Sequence, residues 1–182
     1  TLDVLSTRAL VGIFVGVIPI ALGMLCFPAM RGLSDRWLHA ILAFSAGILA
    51  FLAFDAGFGA LEVAEQVPGA YEGSLILVAG ALGTLLLIQA VSDYWGEGGE
   101  VSPLGLAYLI ALGIGLHNLA EGLAIGSSFA LGRVSLGAFL IVGFMIHNVT
   151  EGPAIVAPVA SGERPALHHF VLIGAIAGLP GV

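Results

Sequence analysis

Five long apolar stretches, each closed by a short polar break, leave this chain few folds to choose from. They run over about 9–29, 38–61, 75–91, 104–131 and 136–160, and a sixth opens near His168. About 20 apolar residues of helix cross the hydrocarbon core of a bilayer. Lipid offers no partner to a backbone N–H or C=O, so a span must satisfy its own backbone, as a helix does. The breaks at 31–36, 65–73, 92–103, 131–133 and 161–165 carry the glycine, proline and charge of loops. Most are short, which makes neighbouring helices antiparallel. The expected fold is all-α, a polytopic membrane helix bundle with five complete spans and a truncated sixth. It forms one transmembrane domain over residues 1–182. The sequence stops within an apolar run at Gly181-Val182, which predicts further spans after Val182.

Composition narrows the chemistry. Charged residues make up 9% of the chain and apolar residues 59%, against about 25% charged in a soluble domain. Mean hydropathy is +1.09. The net charge of −7 argues against a nucleic-acid partner. Arginine supplies all five basic residues. Without lysine there is neither a phosphate-binding P-loop nor a Schiff base. Cys26 is the sole cysteine, so thiolate clusters and internal disulfides are excluded; it is expected as a small buried apolar residue. Arg8 and the long run after it do not form a signal peptide. Arg31, Arg36 and Arg164 fall on one side of the membrane against Arg8 and Arg133 on the other, which favours an external N-terminus.

Against this apolar background two polar motifs stand out. His117-Asn118-Leu119-Ala120-Glu121-Gly122 lies in the fourth stretch and His147-Asn148-Val149-Thr150-Glu151-Gly152 in the fifth. Ionisable groups at bilayer depth are costly and usually face a protein interior where they serve a function. Within each motif the His and Glu are four apart, on one helix face. Two such helices offer two imidazoles and two carboxylates, a donor set for a divalent ion of intermediate softness. Asn118 and Asn148 lie about 100° round from their histidines, where they can border a second ion or hold the carboxylates. Pro153 kinks the fifth span just past its motif.

The paired motifs resemble those of the fourth and fifth transmembrane helices of the ZIP family of zinc and iron transporters. Phe44-Ser45-Ala46-Gly47, opening the second span, fits as well. The resemblance implies eight spans, an external N-terminus, a homodimer and alternating access with an elevator-like component. It implies a binuclear centre between helices four and five. His117, Glu121, His147 and Glu151 would hold the first ion; Asn118, Asn148 and a bridging Glu151 would hold the second. Three departures weaken the second position. Leu49 stands where some relatives have a metal-touching methionine. Asn148 replaces an aspartate, and Gly178-Leu179-Pro180-Gly181 carries no carboxylate.

Other polar positions have more modest expectations. Asp55 and Glu62, seven apart in the second span, share a face and form a candidate path by which cations approach. Gln89 is expected to hydrogen-bond between helices, and Asp93, Glu97 and Glu100 to form an acidic loop. Gly12/Gly16 and Gly105/Gly113 are expected at close helix contacts. His168 and His169 open the last segment, at the interface or on a release path.

The resulting expectation is a non-enzymatic, multi-pass protein of the plasma (cell inner) membrane. It would carry Zn2+ into the cytoplasm, with Fe2+, Mn2+ and Cd2+ as further candidate cargo. Its partners would be the metal ion, the lipid bilayer and a second copy of itself. The alternatives are a membrane-embedded metal-dependent hydrolase, with Glu121 or Glu151 as general base, and a packing or receptor protein. The absence of His-Glu-x-x-His weighs against the hydrolase, and the duplicated ligand set against the packing role.

Overall fold

The computed structural model describes residues 2–66, 69, 72–96 and 101–182, and the elements among them are helical. The first apolar stretch is broken into α1 (Leu2–Gly12), a π-turn over Ile13–Val17, α2 (Ile18–Met24) and α3 (Phe27–Met30). The first break has a cause in Pro19, at the start of α2. Proline has no N–H to continue the ladder, and the preceding turn widens so that the Ile18 N–H reaches the Ile13 carbonyl. Next come α4 (Asp35–Gln66), α5 (Gly73–Gly96), α6 (Pro103–Ala130), α7 (Val134–Val156) and α8 (Leu167–Gly178). A 3-10 turn over Leu179–Gly181 follows α8.

Among the described residues, four segments are long and apolar enough to cross a membrane: Ala9–Met30, Gly73–Tyr94, Pro103–Ala130 and Val134–Val159. This is a multi-pass integral membrane protein. The 32-residue α4 covers the second predicted stretch, and the apolar segment at Leu167–Gly181 is shorter.

Two compact units divide the chain: Thr1–Leu42 with Ser102–Val182, and Ala43–Val101. In the second unit α5 extends through Gly96, so Asp93 is helical rather than part of a loop. Gln89 Nε2 donates to Asp93 Oδ1 at 2.8 Å. That bond runs one turn along the same helix, not between helices as the sequence suggested. Glu97 and Glu100 lie outside the described residues.

The first unit is a helical bundle built around a tight α6–α7 hairpin. Ser102 caps α6 by accepting the Gly105 N–H at 3.1 Å, with Pro103 at the first position. The helix ends in a Schellman turn: the Arg133 N–H donates to the Ser128 carbonyl and the Gly132 N–H to the Phe129 carbonyl. Gly132 takes the left-handed conformation this turn requires, with φ of 71°. Gly132 is 15 residues after His117 and 15 before His147 (132 − 117 and 147 − 132). An antiparallel hairpin therefore sets both histidines at one depth, about 22 Å from the turn at 1.5 Å per residue. Glu121 lies about one turn nearer the hairpin and Glu151 about one turn farther.

The core of this unit includes Ile20, Met24, Phe27, Ala107, Ile114, Ile155, Val156 and Ile173. Glycines let backbones meet around it. The last residue of each motif is such a contact. A Cβ on Gly152 would lie 2.5 Å from the Gly23 carbonyl carbon, and one on Gly122 would lie 2.9 Å from that of Gly181. Gly12 and Gly16 are tight against Val182 and Gly178, as expected, but Gly113 faces open space. The close contact on α6 is at Gly115 instead, against the Ile176 carbonyl. Cys26 is exposed, not buried, because it falls in the turn between α2 and α3.

Gly23→Ala should be strongly destabilising. Its Cβ would overlap the Val149 carbonyl oxygen and touch Gly152 and Pro153 on α7. Overpacking of this kind costs about 1–3 kcal/mol or more when backbone must move. The expected result is a melting temperature several degrees lower in detergent, read by size-exclusion fluorescence after heating. An unchanged melt would show that α2 and α7 separate freely.

Candidate metal centre

The hairpin brings three of the sequence-predicted ligands to one point. Nε2 of His117 is 3.0 Å from Glu121 Oε1, and Nε2 of His147 is 2.5 Å from that oxygen. One ligand atom from each of the three residues lies within 4.8 Å of the others. The two imidazole rings are 5.7 Å apart, centroid to centroid. Glu121 is buried, while both histidines are partly buried. The trio sits between the fourth and fifth apolar helices.

Asn148 completes the setting of Glu121. Its Nδ2 donates to Glu121 Oε2 at 3.3 Å and to the Val15 carbonyl at 3.0 Å. This holds the second carboxylate oxygen away and leaves Oε1 to the two imidazoles. Asn118 Nδ2 donates to the Ala177 carbonyl at 2.9 Å. Asn118 and Asn148 are 1% and 0% exposed, so their contacts are made out of water's reach.

Glu151 is buried too, but it stands outside the trio. Its carboxylate lies close enough to His117, His147 and Glu121 for the charges to act on one another, with the Asn118 side chain alongside. The reason is the hairpin register, which puts Glu121 and Glu151 on opposite sides of the histidine level. Spacing within one helix cannot reveal this, since both glutamates are four residues after their histidines.

The chemistry of the centre follows from what its atoms lack. Asn118 Oδ1, Asn148 Oδ1 and both Glu151 oxygens form no geometrically sound hydrogen bond among the described residues, and all are buried. Among the described residues, His117 Nε2, His147 Nε2 and Glu121 Oε1 have one another as partners. The amide and carboxylate oxygens are acceptors, and each imidazole Nε2 donates or accepts according to its protonation. Buried acceptors without donors cost free energy in an apolar setting. With both imidazoles unprotonated at Nε2, the trio presents two nitrogens and one carboxylate oxygen to a single point, a donor set that suits a divalent cation such as Zn2+.

The other sequence candidates are placed differently. Asp55 and Glu62 both fall in α4, in the second unit, and their side chains lie outside the described residues. The same holds for Leu49. His169 is half-buried and bonded to the Tyr108 hydroxyl at 2.9 Å, while His168 is exposed and lies against the His169 ring at 4.1 Å. Two contacts of the motif asparagines escaped sequence reasoning: the Val15 carbonyl, which anchors Asn148, and the Ala177 carbonyl, which anchors Asn118. The nearest signals were Pro19, four residues after Val15, and Pro180, three after Ala177.

Over 139 residues the chain is 33% identical to a protein of Bordetella bronchiseptica named zinc transporter ZIPB. The match covers 71% of this chain and 45% of that protein, so the chain spans less than half the length of the curated relative it matches. No family model matches the chain, and no solved structure matches it.

Proposed function

We infer that the chain belongs to the ZIP family of metal transporters, and we propose that it carries a divalent transition metal, Zn2+ first among them, into the cytoplasm. The observation that carries this reading is the convergence of His117, Glu121 and His147 around one point, their ligand atoms without other partners among the described residues. The duplicated motif and the 33% identity to a zinc transporter support it.

In this reading the trio holds the first ion. Glu151, with Asn118 and Asn148, offers a second position. That position carries a single carboxylate and binds more weakly, and Glu151→Ala affects it most. Fe2+, Mn2+ and Cd2+ are alternative cargo for the same donors. Eight spans, an external N-terminus, a plasma-membrane location and a homodimer complete the proposal. Asp55 and Glu62 would gather cations on the approach side. With no P-loop lysine, the ion gradient or membrane potential would drive movement. Ligands held on two helices permit release when helices shift against their neighbours.

The test is uptake of radioactive zinc into proteoliposomes holding the intact protein. Time-dependent accumulation that exceeds the binding capacity of the protein is the expected result. Saturable binding without accumulation would reject transport, and metal-dependent hydrolysis in its place would favour an embedded enzyme.

A further inference from the structure

Each motif asparagine donates to a backbone carbonyl that has a proline, with no N–H to offer, three or four residues further along the chain. In an α-helix the Val15 carbonyl would accept from the N–H of residue 19. That residue is Pro19, which has none. Ala177 lies at the end of α8, where the chain tightens into the 3-10 turn over Leu179–Gly181, and in that tighter register its carbonyl would accept from the N–H of residue 180. That residue is Pro180. Asn148 Nδ2 donates to the first carbonyl at 3.0 Å and Asn118 Nδ2 to the second at 2.9 Å. The two bonds join positions 133 and 59 residues apart in sequence.

The orientation of each amide follows from these bonds. A carbonyl oxygen only accepts, so the atom facing it must be the amide nitrogen. The amide oxygen then points away from that carbonyl, and in both cases it is buried without a donor among the described residues. For Asn148 the consequence runs one step further. The amide pinned by Val15 also donates to Glu121 Oε2, and this leaves Oε1 with the two imidazoles.

We propose that Pro19 and Pro180 are positioning residues of the metal centre: by withholding an N–H from the Val15 and Ala177 carbonyls they leave these to fix the Asn148 and Asn118 amides, and Asn148 in turn holds Glu121 Oε2. The centre is then assembled from four apolar segments, two that carry ligands and two that aim them. An N–H restored at residue 19 or 180 would draw the carbonyl back toward the helix axis and release the asparagine. This inference rests on the reading of the site as a metal centre.

The test is a pair of double-mutant cycles on the intact protein in detergent, with zinc affinity measured by competition with a chromophoric chelator. Wild type should bind zinc; no binding would overturn the reading of the site, and the inference with it. Pro19→Ala should weaken zinc about tenfold, the scale on which groups behind metal ligands act. In an Asn148→Ala background the same substitution should have little further effect, because the proline acts through that side chain. Pro180→Ala and Asn118→Ala should behave likewise. Equal losses in both backgrounds, or no loss at all, would overturn the proposal by reducing the prolines to helix shape. If Pro19→Ala does not fold, the Pro180–Asn118 cycle decides by the same criterion.

Discussion

Glu121→Ala is expected to lower zinc affinity at least a hundredfold, about 2.8 kcal/mol at 1.4 kcal/mol per tenfold, and to stop uptake. Glu121 is the only member of the converging trio with a formal negative charge, and its Oε1 meets both imidazoles at 3.0 and 2.5 Å. Removing it leaves two neutral nitrogens to face a doubly charged ion in a poorly solvated setting, where lost charge compensation is costly. Glu121→Gln keeps the shape and loses the charge, so it should bind nearly as poorly. Glu151→Ala should cost less at the tighter position, about tenfold, because Glu151 stands outside the trio. The measurement is equilibrium zinc binding by the three variants at matched folding. If Glu151→Ala proves the more damaging, the shared carboxylate is Glu151 and the trio is not the tight site.

His147→Asp is expected to shift preference from Zn2+ toward Mn2+. Imidazole nitrogen favours zinc, whereas carboxylate oxygen accepts harder ions more readily. The variant keeps His117 and Glu121 and exchanges a nitrogen for a second charged oxygen beside Glu121. Divalent binding should survive while its selectivity changes. Proton competition should change as well. A protonated imidazole cannot ligate, so wild-type affinity falls on acidification. With one imidazole fewer, the variant should lose affinity less steeply. Competitive zinc and manganese binding at several pH values checks both effects. An unchanged preference would leave selectivity to His117 and the carboxylates.

The apolar stretches were legible because lipid imposes a simple rule: long apolar runs become helices, and glycine, proline and charge end them. The first stretch shows the limit. Its length was plain, but its division into α1, a π-turn, α2 and α3 turns on Pro19 and on what packs against the break. Gln89 shows another. An intramembrane amide needs a partner, and composition could not say that Asp93, one turn along the same helix, would provide it. The glycines divide in the same way: Gly16 meets a backbone while Gly113 meets open space, although both sit among apolar residues.

The candidate ligands themselves were set by sequence. A His and a Glu four apart share a helix face in any fold, and their repetition in adjacent spans made one shared site the natural reading. Tertiary structure decided which of them converge. The turn at Gly132 fixes the hairpin register, and with it the central place of Glu121 rather than Glu151. It also decided which way the asparagines point, through the carbonyls of Val15 and Ala177 in helices remote in sequence. Helical periodicity assigns a residue to a face, but it carries no information about depth between helices or about the backbone groups a neighbouring helix presents. Those depend on how the helices pack, and so they emerge only when the bundle is assembled.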